Sequence, residues 1–274
     1  MKFGPSARRS ARIVTPGTAA GLHSIPWRRP RSRGNELTVI KVELHSHTAD
    51  DPSDYIPHST CQLIDRSAEL GYDALAITLH DRQLDVRPYA DYARLRGVTL
   101  IPGIERTIEG KHVLLLNFSR ATEAVKTFDD LARLRANEGG LVVAPHPYFP
   151  SPTCLGKLLE SKADLFDAVE YNGMFTAALN FNERAARWAM MHGKPLVGNG
   201  DVHRLRQLGT TYSLVDAPAD ADAICEAIRR NRVWVEATAV SVLTAAGLMA
   251  EMLAANFRTG ADRSHSDERG YSIG

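Results

Sequence analysis

The sequence predicts an α/β fold built on a mostly parallel sheet, either a barrel or a doubly wound sheet. Seven short apolar runs, rich in valine, isoleucine and leucine, alternate with helix-like stretches from Val39 onward. The runs show little alternation of apolar and polar residues, which is typical of strands that are buried on both faces. Regular alternation of strands and helices indicates an α/β architecture. The predicted strands are residues 39–44, 74–78, 98–101, 113–117, 141–144, 168–171 and 196–198.

Four stretches between or after these strands carry the signals of amphipathic helices. In the first, residues 59–71, Leu63 and Ile64 lie on an apolar face. Ser59 or Thr60 can cap the start of the helix and Gly71 can end it. The other three are residues 121–137, 180–192 and 220–231. A further apolar stretch, residues 237–257, is interrupted by Glu251. We expect it to form a buried C-terminal helix rather than a membrane span.

Charge is distributed unevenly along the 274-residue chain, although its formal net charge is only +1. Residues 1–35 hold eight basic and no acidic residues, which leaves 25 basic against 32 acidic residues in the remainder. This excess of acidic residues outside residues 1–35 argues against a large nucleic-acid surface on the folded domain. We therefore predict a basic, disordered tail (residues 1–36), one α/β domain (residues 37–257) and a polar C-terminal tail (residues 258–274).

The cysteine pattern bears on the cellular compartment. The three cysteines, Cys61, Cys154 and Cys225, are widely separated and form no C-x-x-C pair. A disulfide framework and a zinc ribbon are therefore excluded, and a reduced, cytoplasmic setting is expected. No uninterrupted apolar run is long enough for a membrane span, so no membrane partner is expected. The sequence leaves the oligomeric state open.

Histidine, aspartate or glutamate follows six of the predicted strands. Five of the ten histidines lie at such strand ends, namely His45, His47, His80, His146 and His203. The carboxyl ends of the strands in a parallel barrel open on one face, so these side chains should meet at one rim. Imidazole and carboxylate are ligands that zinc, manganese and iron use. The residues therefore predict a metal site, and their number exceeds what a single zinc ion needs.

Five segments resemble, in the same order, the successive motifs of the PHP (polymerase and histidinol phosphatase) superfamily. They are E-L-H-S-H-T at 43–48, A-L-A-I-T-L-H-D at 74–81, I-P-G-I-E at 101–105, V-A-P-H-P at 143–147 and G-N-G-D-V-H at 198–203. The resemblance covers roughly residues 39–235. It implies a distorted (β/α)7 TIM-like barrel with a trinuclear metal cluster at the carboxyl ends of the strands.

The resemblance also implies nine metal ligands. They are His45, His47, Asp54, His80, Glu105, His112, His146, Asp201 and His203. Asp50 and Asp51 compete with Asp54 for its position. The chain departs from the family pattern at Leu79, where the family has aspartate, and at Gly200, where it has serine. On the rim, Glu170 and Asn172 are candidates either for direct ligation or for hydrogen bonds to ligands.

The activity that the resemblance implies is metal-dependent hydrolysis of phosphoesters. About two to three zinc, manganese or iron ions would activate water and clamp the phosphate oxygens. Arg106 and Arg204, which directly follow two of the ligands, are candidates to bind phosphate. We expect a phosphatase or phosphoesterase that acts on a small phosphorylated metabolite or nucleotide. The alternatives are a nuclease that acts on the ends of short oligonucleotides and a non-catalytic PHP module. His58, near the first motif, is expected to be an exposed loop residue.

Overall fold

The computed structural model describes residues 11–13 and 39–267, with side chains for residues 39–254. In this part of the chain the strands form one ten-stranded sheet that curls into a nearly closed barrel, so the predicted α/β barrel is confirmed. Most of the predicted basic tail and the last seven residues of the predicted C-terminal tail lie outside the described residues.

The strands are β1 (Ala11–Ile13), β2 (Val39–Glu43), β3 (Ala74–Ile77), β4 (Thr99–Ile108), β5 (Lys111–Leu116), β6 (Leu141–Ala144), β7 (Ala168–Asn172), β8 (Leu196–Asn199), β9 (Thr211–Asp216) and β10 (Val233–Ala237). The α-helices are α1 (Thr60–Glu69), α2 (Ala90–Arg94), α3 (Phe128–Asn137), α4 (Leu158–Ser161), α5 (Asn182–Met191), α6 (Ala221–Arg229) and α7 (Val242–Asp267). Short 3₁₀ segments lie at Arg87–Tyr89, Arg120–Ala124, Ala163–Leu165 and Leu205–Gln207. The strand order in the sheet is β1-β10-β9-β2-β3-β4-β5-β6-β7-β8.

Strand direction places the ends of six strands at one mouth of the barrel. Strands β2, β3 and β4 are parallel neighbours, and so are β6, β7 and β8. Between the two sets, β5 is antiparallel to both β4 and β6, so it begins at the mouth where those strands end. Strand β9 is antiparallel to β2 and β10 is antiparallel to β9. The distortion of the barrel therefore lies in antiparallel strands that the apolar runs did not reveal.

Strand β4 continues well beyond residue 101, where the sequence predicts its end. The chain turns at Glu109 and Gly110, whose φ angles of 48° and 76° suit a tight hairpin turn, and returns as β5. Pro102 lies inside β4 and has no N–H to donate to a neighbouring strand, while its carbonyl accepts a hydrogen bond of 2.7 Å from the Asn117 N–H. The resulting hairpin extends over the mouth and carries Glu105 on one strand and His112 on the other.

Strands β9 and β10 were missed because their burial alternates. Along β10, buried Val233, Val235 and Ala237 alternate with half-buried neighbours, and β9 begins in the same way. A search for continuous apolar runs finds strands buried on both faces and overlooks strands with one half-exposed face. The predicted helix 121–137 is also interrupted: α3 starts only at Phe128, where Thr127 and Asp130 form a capping box.

The last helix is not the buried helix that the sequence predicts. In α7, Leu248 is buried, whereas Val242, Leu243, Met249 and Leu253 are all largely exposed. Among the described side chains of α7, Leu248 is buried and Glu251 contacts Arg206 (2.7 Å), so the helix buries little of its apolar surface. No helix among the described residues combines the length and the hydropathy that a membrane span needs.

Helix α6 packs against the end of the barrel opposite the mouth. Its Ile224 and Ile228 belong to the same buried cluster as Val42, Leu116 and Val143 of the strands. Asp220 caps the helix start, since its side chain accepts a hydrogen bond from the Ala223 N–H. An apolar helix at this end leaves the mouth as the open, polar end of the barrel.

The barrel closes where β8 and the segment after it meet the first strands. Ser46 and Val202 form a parallel bridge, and the Ser213 hydroxyl of β9 hydrogen-bonds both the N–H (2.9 Å) and the carbonyl (3.0 Å) of Gly198. A Cβ atom at Gly198 would lie 2.7 Å from the Tyr212 carbonyl oxygen and 2.8 Å from Val235. Only glycine lets β8 approach β9 and β10 this closely.

Gly198→Ala should therefore destabilise the protein by about 1–3 kcal/mol, because the methyl group would overlap the backbone of β9. Denaturant unfolding measures this change. Gly139→Ala is the control, since its added Cβ meets nothing within 4 Å and should leave the free energy of unfolding unchanged within about 0.5 kcal/mol. Equal stability of the two variants would contradict the close approach at Gly198.

Candidate metal centre

The carboxylate of Glu105 lies at the centre of the mouth among five histidines. Its Oε1 atom lies 2.7 Å from His112 Nδ1 and 3.1 Å from His146 Nε2. Its Oε2 atom lies 3.0, 3.4 and 3.5 Å from the Nε2 atoms of His80, His45 and His47, respectively. Because the two oxygens face different histidines, this carboxylate is placed to bridge two metal ions.

The two ligand pairs that the motifs predict face each other across the barrel closure. His45 and His47 flank Ser46, and Asp201 and His203 flank Val202, so the Ser46–Val202 bridge sets the pairs side by side. The His47 N–H donates to the Val202 carbonyl (3.0 Å) and the Val202 N–H to the His45 carbonyl (3.1 Å). Asp201 Oδ1 then lies 3.4, 3.7 and 3.4 Å from ring nitrogens of His45, His47 and His203.

Eight of the nine expected ligands lie in four overlapping groups of three, with the ligand atoms of each group within 4.8 Å of one another. The groups are His47–His80–His203, His45–His47–Glu105, His45–His146–Asp201 and His80–Glu105–His112. The ninth expected ligand, Asp54, contacts this cluster through its Oδ2 atom, 3.0 Å from His203 Nε2. The structure thus brings all nine residues to one mouth.

Divalent metal ions fit these residues. In the part of the chain that the structure describes, the Nε2 atoms of His45 and His47 are fully buried and have no hydrogen-bond partner. Buried polar atoms without partners are rare because they are costly, and both atoms point toward the carboxylates of Glu105 and Asp201. Cations between these nitrogens and oxygens would satisfy both, and the donor set suits zinc, manganese or iron.

Electrostatics keeps the two central carboxylates charged. Burial alone would raise the pKa of Glu105, but His45, His80 and His112 outweigh it and hold that pKa well below its usual range. For Asp201 the effect of burial is likewise outweighed, chiefly by His45 and by a hydrogen bond from His203, so its pKa is also well below its usual range. Both side chains therefore remain anionic ligands at neutral pH.

Asp51, one of the two competitors for the position of Asp54, positions histidines from behind. Its Oδ2 atom accepts hydrogen bonds from the Nδ1 atoms of His47 (2.9 Å) and His80 (3.0 Å), and from the His80 N–H (3.0 Å). Its Oδ1 atom accepts from the N–H groups of Ser53 and Asp54, both at 2.9 Å. These bonds fix both rings with Nε2 directed at the cluster, as carboxylates behind ligand histidines do in metal sites.

Glu170 and Asn172, left open between ligation and hydrogen bonding, make hydrogen bonds to the expected ligands. Glu170 accepts from His45 Nδ1 and from the His146 N–H, both at 2.8 Å. The Asn172 amide donates to Glu170 Oε2 and to Asp201 Oδ2, each at 3.1 Å. One oxygen of Asp201 is thereby held away from the cluster and the other faces the histidines.

Two of the expected ligands have strained backbones. His146 and Asp201 have positive φ angles of 28° and 49°, a region that residues other than glycine rarely occupy. Such strain costs on the order of 1–3 kcal/mol per residue and collects at functional sites, where surrounding contacts hold it. The hydrogen bond that the His146 N–H donates to Glu170 and the one that Asp201 accepts from the Asn172 amide are contacts of this kind.

Three further residues support the cluster and were not assigned to it from the sequence. Glu43 accepts from the N–H groups of Gly200 (3.0 Å) and His45 (3.1 Å), and burial raises its pKa to about 8. It stands two residues before the H-x-H pair, at the start of the first motif, which was its only signal. The Cys154 thiol lies 3.3 Å from His146 Nδ1, and nothing in the sequence pattern pointed to that contact.

His58 is the third such residue, and the expectation that it is an exposed loop residue is wrong. Its side chain is buried, and its Nε2 atom donates a 2.8 Å hydrogen bond to the carbonyl of His47. Burial lowers the pKa of His58 to about 4, so the imidazole is neutral at physiological pH. It supports the backbone of the H-x-H segment.

The two arginines expected to bind phosphate are already engaged. Arg106 donates to Asp81 (2.7 Å) and to the Val125 carbonyl (2.6 Å), because neighbours along a strand point to opposite faces and Glu105 takes the face toward the histidines. The structure therefore does not bring Arg106 to the cluster. Arg204, in contrast, lies beside the cluster, and its guanidinium donates to the carbonyls of His203 (2.7 Å), Tyr55 and Glu251.

The chain is similar to a known family in sequence and to solved structures in fold. Residues 180–233 match the PHP-associated family PHP_C, and this segment includes Asp201 and His203. Among solved structures, a two-domain protein from Bacteroides vulgatus that contains a predicted PHP-like metal-dependent phosphoesterase superposes with a TM-score of 0.58 at 20% identity. The match covers 77% of this chain and 69% of that one.

A second solved structure, PsfC from Pseudomonas syringae, superposes with a TM-score of 0.54 at 16% identity, over 81% of this chain and 99% of its own. No curated protein matches the sequence. At these identities the structural matches establish the fold.

Elemental analysis of protein supplied with zinc and manganese should find about two to three metal ions per chain. Glu105→Gln should lose about one ion or more, because each carboxylate oxygen faces different histidines. Glu109→Gln, an exposed glutamate in the adjacent hairpin turn, should retain the full metal content. A metal-free parent protein, or equal metal content in both variants, would contradict the bridging position of Glu105.

Asp51→Asn should weaken metal binding about tenfold to a hundredfold, because an amide has one acceptor oxygen, whereas the carboxylate uses one oxygen for His47 and His80 and the other for backbone N–H groups. Competition with a chromophoric chelator measures the affinity. Asp50→Asn is the matched control, since the Asp50 side chain accepts from the hydroxyls of Thr48 and Thr60. Unchanged affinity in Asp51→Asn would refute the positioning role.

Proposed function

We infer that this chain, a member of the PHP superfamily, is a metal-dependent phosphoesterase that hydrolyses a small phosphorylated compound. The observation that carries the proposal is the Glu105 carboxylate, whose two oxygens face separate sets of histidines in a mouth that also holds Asp201. Phosphoester hydrolysis is a reaction for which paired divalent ions are suited. The family resemblance of the five motifs supports the same reaction class.

The residues at the mouth have two roles: some would hold the cations, and others keep those residues in place. The histidines, Glu105 and Asp201 would hold the ions, which supply Lewis acidity toward phosphate oxygens and water when bound. Asp51, Glu170 and Asn172 keep ring nitrogens and one carboxylate oxygen directed at the cluster. Preset ligands need little reorganisation during the reaction, which favours catalysis.

Substrate access is proposed from one edge of the cluster. The side chains of Asp54 and Asp201 are 24% and 22% exposed, whereas those of the other expected ligands are 15% exposed or less. Arg204 lies at this edge next to His203, and it remains our candidate to contact a phosphate oxygen. Expected ligands that are mostly buried favour a small phosphoester over an extended polymer as the substrate.

Screening hydrolysis of sugar phosphates, nucleoside phosphates and short oligonucleotides, with manganese and zinc supplied, tests this function. We expect turnover of small phosphoesters, which His45→Ala and Asp201→Ala should reduce at least about a hundredfold by removing groups aimed at the cluster. His192→Ala is the control, because His192 directly follows α5, stacks on Trp188 and contacts Glu160. Circular dichroism verifies that all three variants fold.

Parent-level hydrolysis in both site variants would refute the assignment of the site. Turnover of oligonucleotides alone would favour the nuclease alternative, and metal binding without turnover of any phosphoester would favour a non-catalytic module.

A further inference from the structure

Two phenylalanines, Phe149 and Phe181, form an aromatic shelf directly beside the metal centre. The ring of Phe149 lies 6.3 Å from the ring of His146, centroid to centroid, at an interplanar angle of 69°. The ring of Phe181 lies 5.3 Å from that of Phe149. Phe149 is thus a direct neighbour of His146, whose imidazole ring faces Glu105.

Packing of the protein interior does not account for the shelf. Neither phenylalanine belongs to any of the three buried hydrophobic clusters found among the described residues, and both rings are half-buried. The adjacent Tyr148, in contrast, packs against one of these clusters. Partly exposed aromatic side chains at the border of a polar cleft are typical of ligand sites.

The shelf is held in a defined position relative to the metal ligands. Phe149 follows β6 in a turn in which its N–H donates to the His146 carbonyl (3.2 Å). Phe181 precedes Asn182, whose side chain exchanges hydrogen bonds of 2.9 and 2.8 Å with the backbone N–H and carbonyl of Asn172. Both rings are therefore tied to segments that carry groups of the metal centre, which limits their freedom to move away.

We propose that the aromatic shelf binds a flat ring in the leaving group of the substrate, so that the substrate is a phosphoester of a ring-bearing alcohol. The proposal rests on the phosphoesterase function proposed above. A phosphate held among the histidines would place its leaving group within reach of Phe149. Aromatic rings in stacked or edge-on contact gain attraction beyond the apolar area that they bury, and aliphatic chains do not.

Binding of two phosphonates of matched size to the manganese-loaded protein tests the shelf without requiring turnover. Benzylphosphonate carries a flat ring and cyclohexylmethylphosphonate a puckered one, and calorimetry gives the Kd of each. We expect benzylphosphonate to bind about threefold to tenfold more tightly to the parent protein. Phe149→Leu and Phe181→Leu keep an apolar side chain of similar length, and each should bring the ratio of the two Kd values toward one.

Equal Kd values in the parent protein, or an unchanged ratio in both leucine variants, would overturn the proposal. Hydrolysis of benzyl phosphate is measured separately. A ring preference in binding without hydrolysis of any phosphoester would contradict the proposed function while supporting the shelf. Hydrolysis of a phosphoester without a ring preference in binding would support the proposed function and contradict the shelf.

Discussion

Two backbone hydrogen bonds between the segment after β2 and the segment after β8 hold the candidate metal centre together. They join Val202, the middle residue of one ligand pair, to the backbones of His45 and His47, which flank Ser46, and they close the barrel at the same point. Without them, the H-x-H and D-x-H pairs would follow two strands, β2 and β8, that five other strands separate in the sheet. Gly198 permits the approach because no side chain separates β8 from β9. The same contacts therefore close the barrel and assemble the site.

Burial of so many ionisable groups in one place is sustainable only because charges and hydrogen bonds compensate one another. Glu105 and Asp201 remain anionic among histidines, and Asp51 and Glu170 take up the ring nitrogens that face away from the cluster. Bound cations would reverse the local field, so that a phosphate would meet positive charge in a body whose sequence carries more acidic than basic residues. The net charge of this body, taken from the sequence alone, therefore gives the wrong sign for the electrostatic field that a substrate would meet at the mouth.

Sequence reasoning predicted the barrel, and the residues that meet at its mouth, better than it predicted the groups that support them. The expected ligands, such as His45, His80 and Asp201, follow strands whose ends must meet, so spacing along the chain was informative. Asp51 and Cys154 act through contacts with histidines that no periodicity encodes. Arg106 was misjudged because adjacency to Glu105 in sequence means opposite faces in a strand, and α7 because an apolar composition does not reveal whether a surface is available to bury it.

By itself, the sequence determined the α/β class, the order of the motifs and the chemistry of the donor set, because these follow from residue type and local spacing. Tertiary structure alone decided which strands run antiparallel, and hence that His112, at the start of β5, reaches the same mouth as residues at the ends of other strands. It also decided which oxygen of Glu105 faces which histidine and where Phe149 and Phe181 meet. These are distances between residues far apart in the chain, and they exist only once barrel closure has brought the segments together.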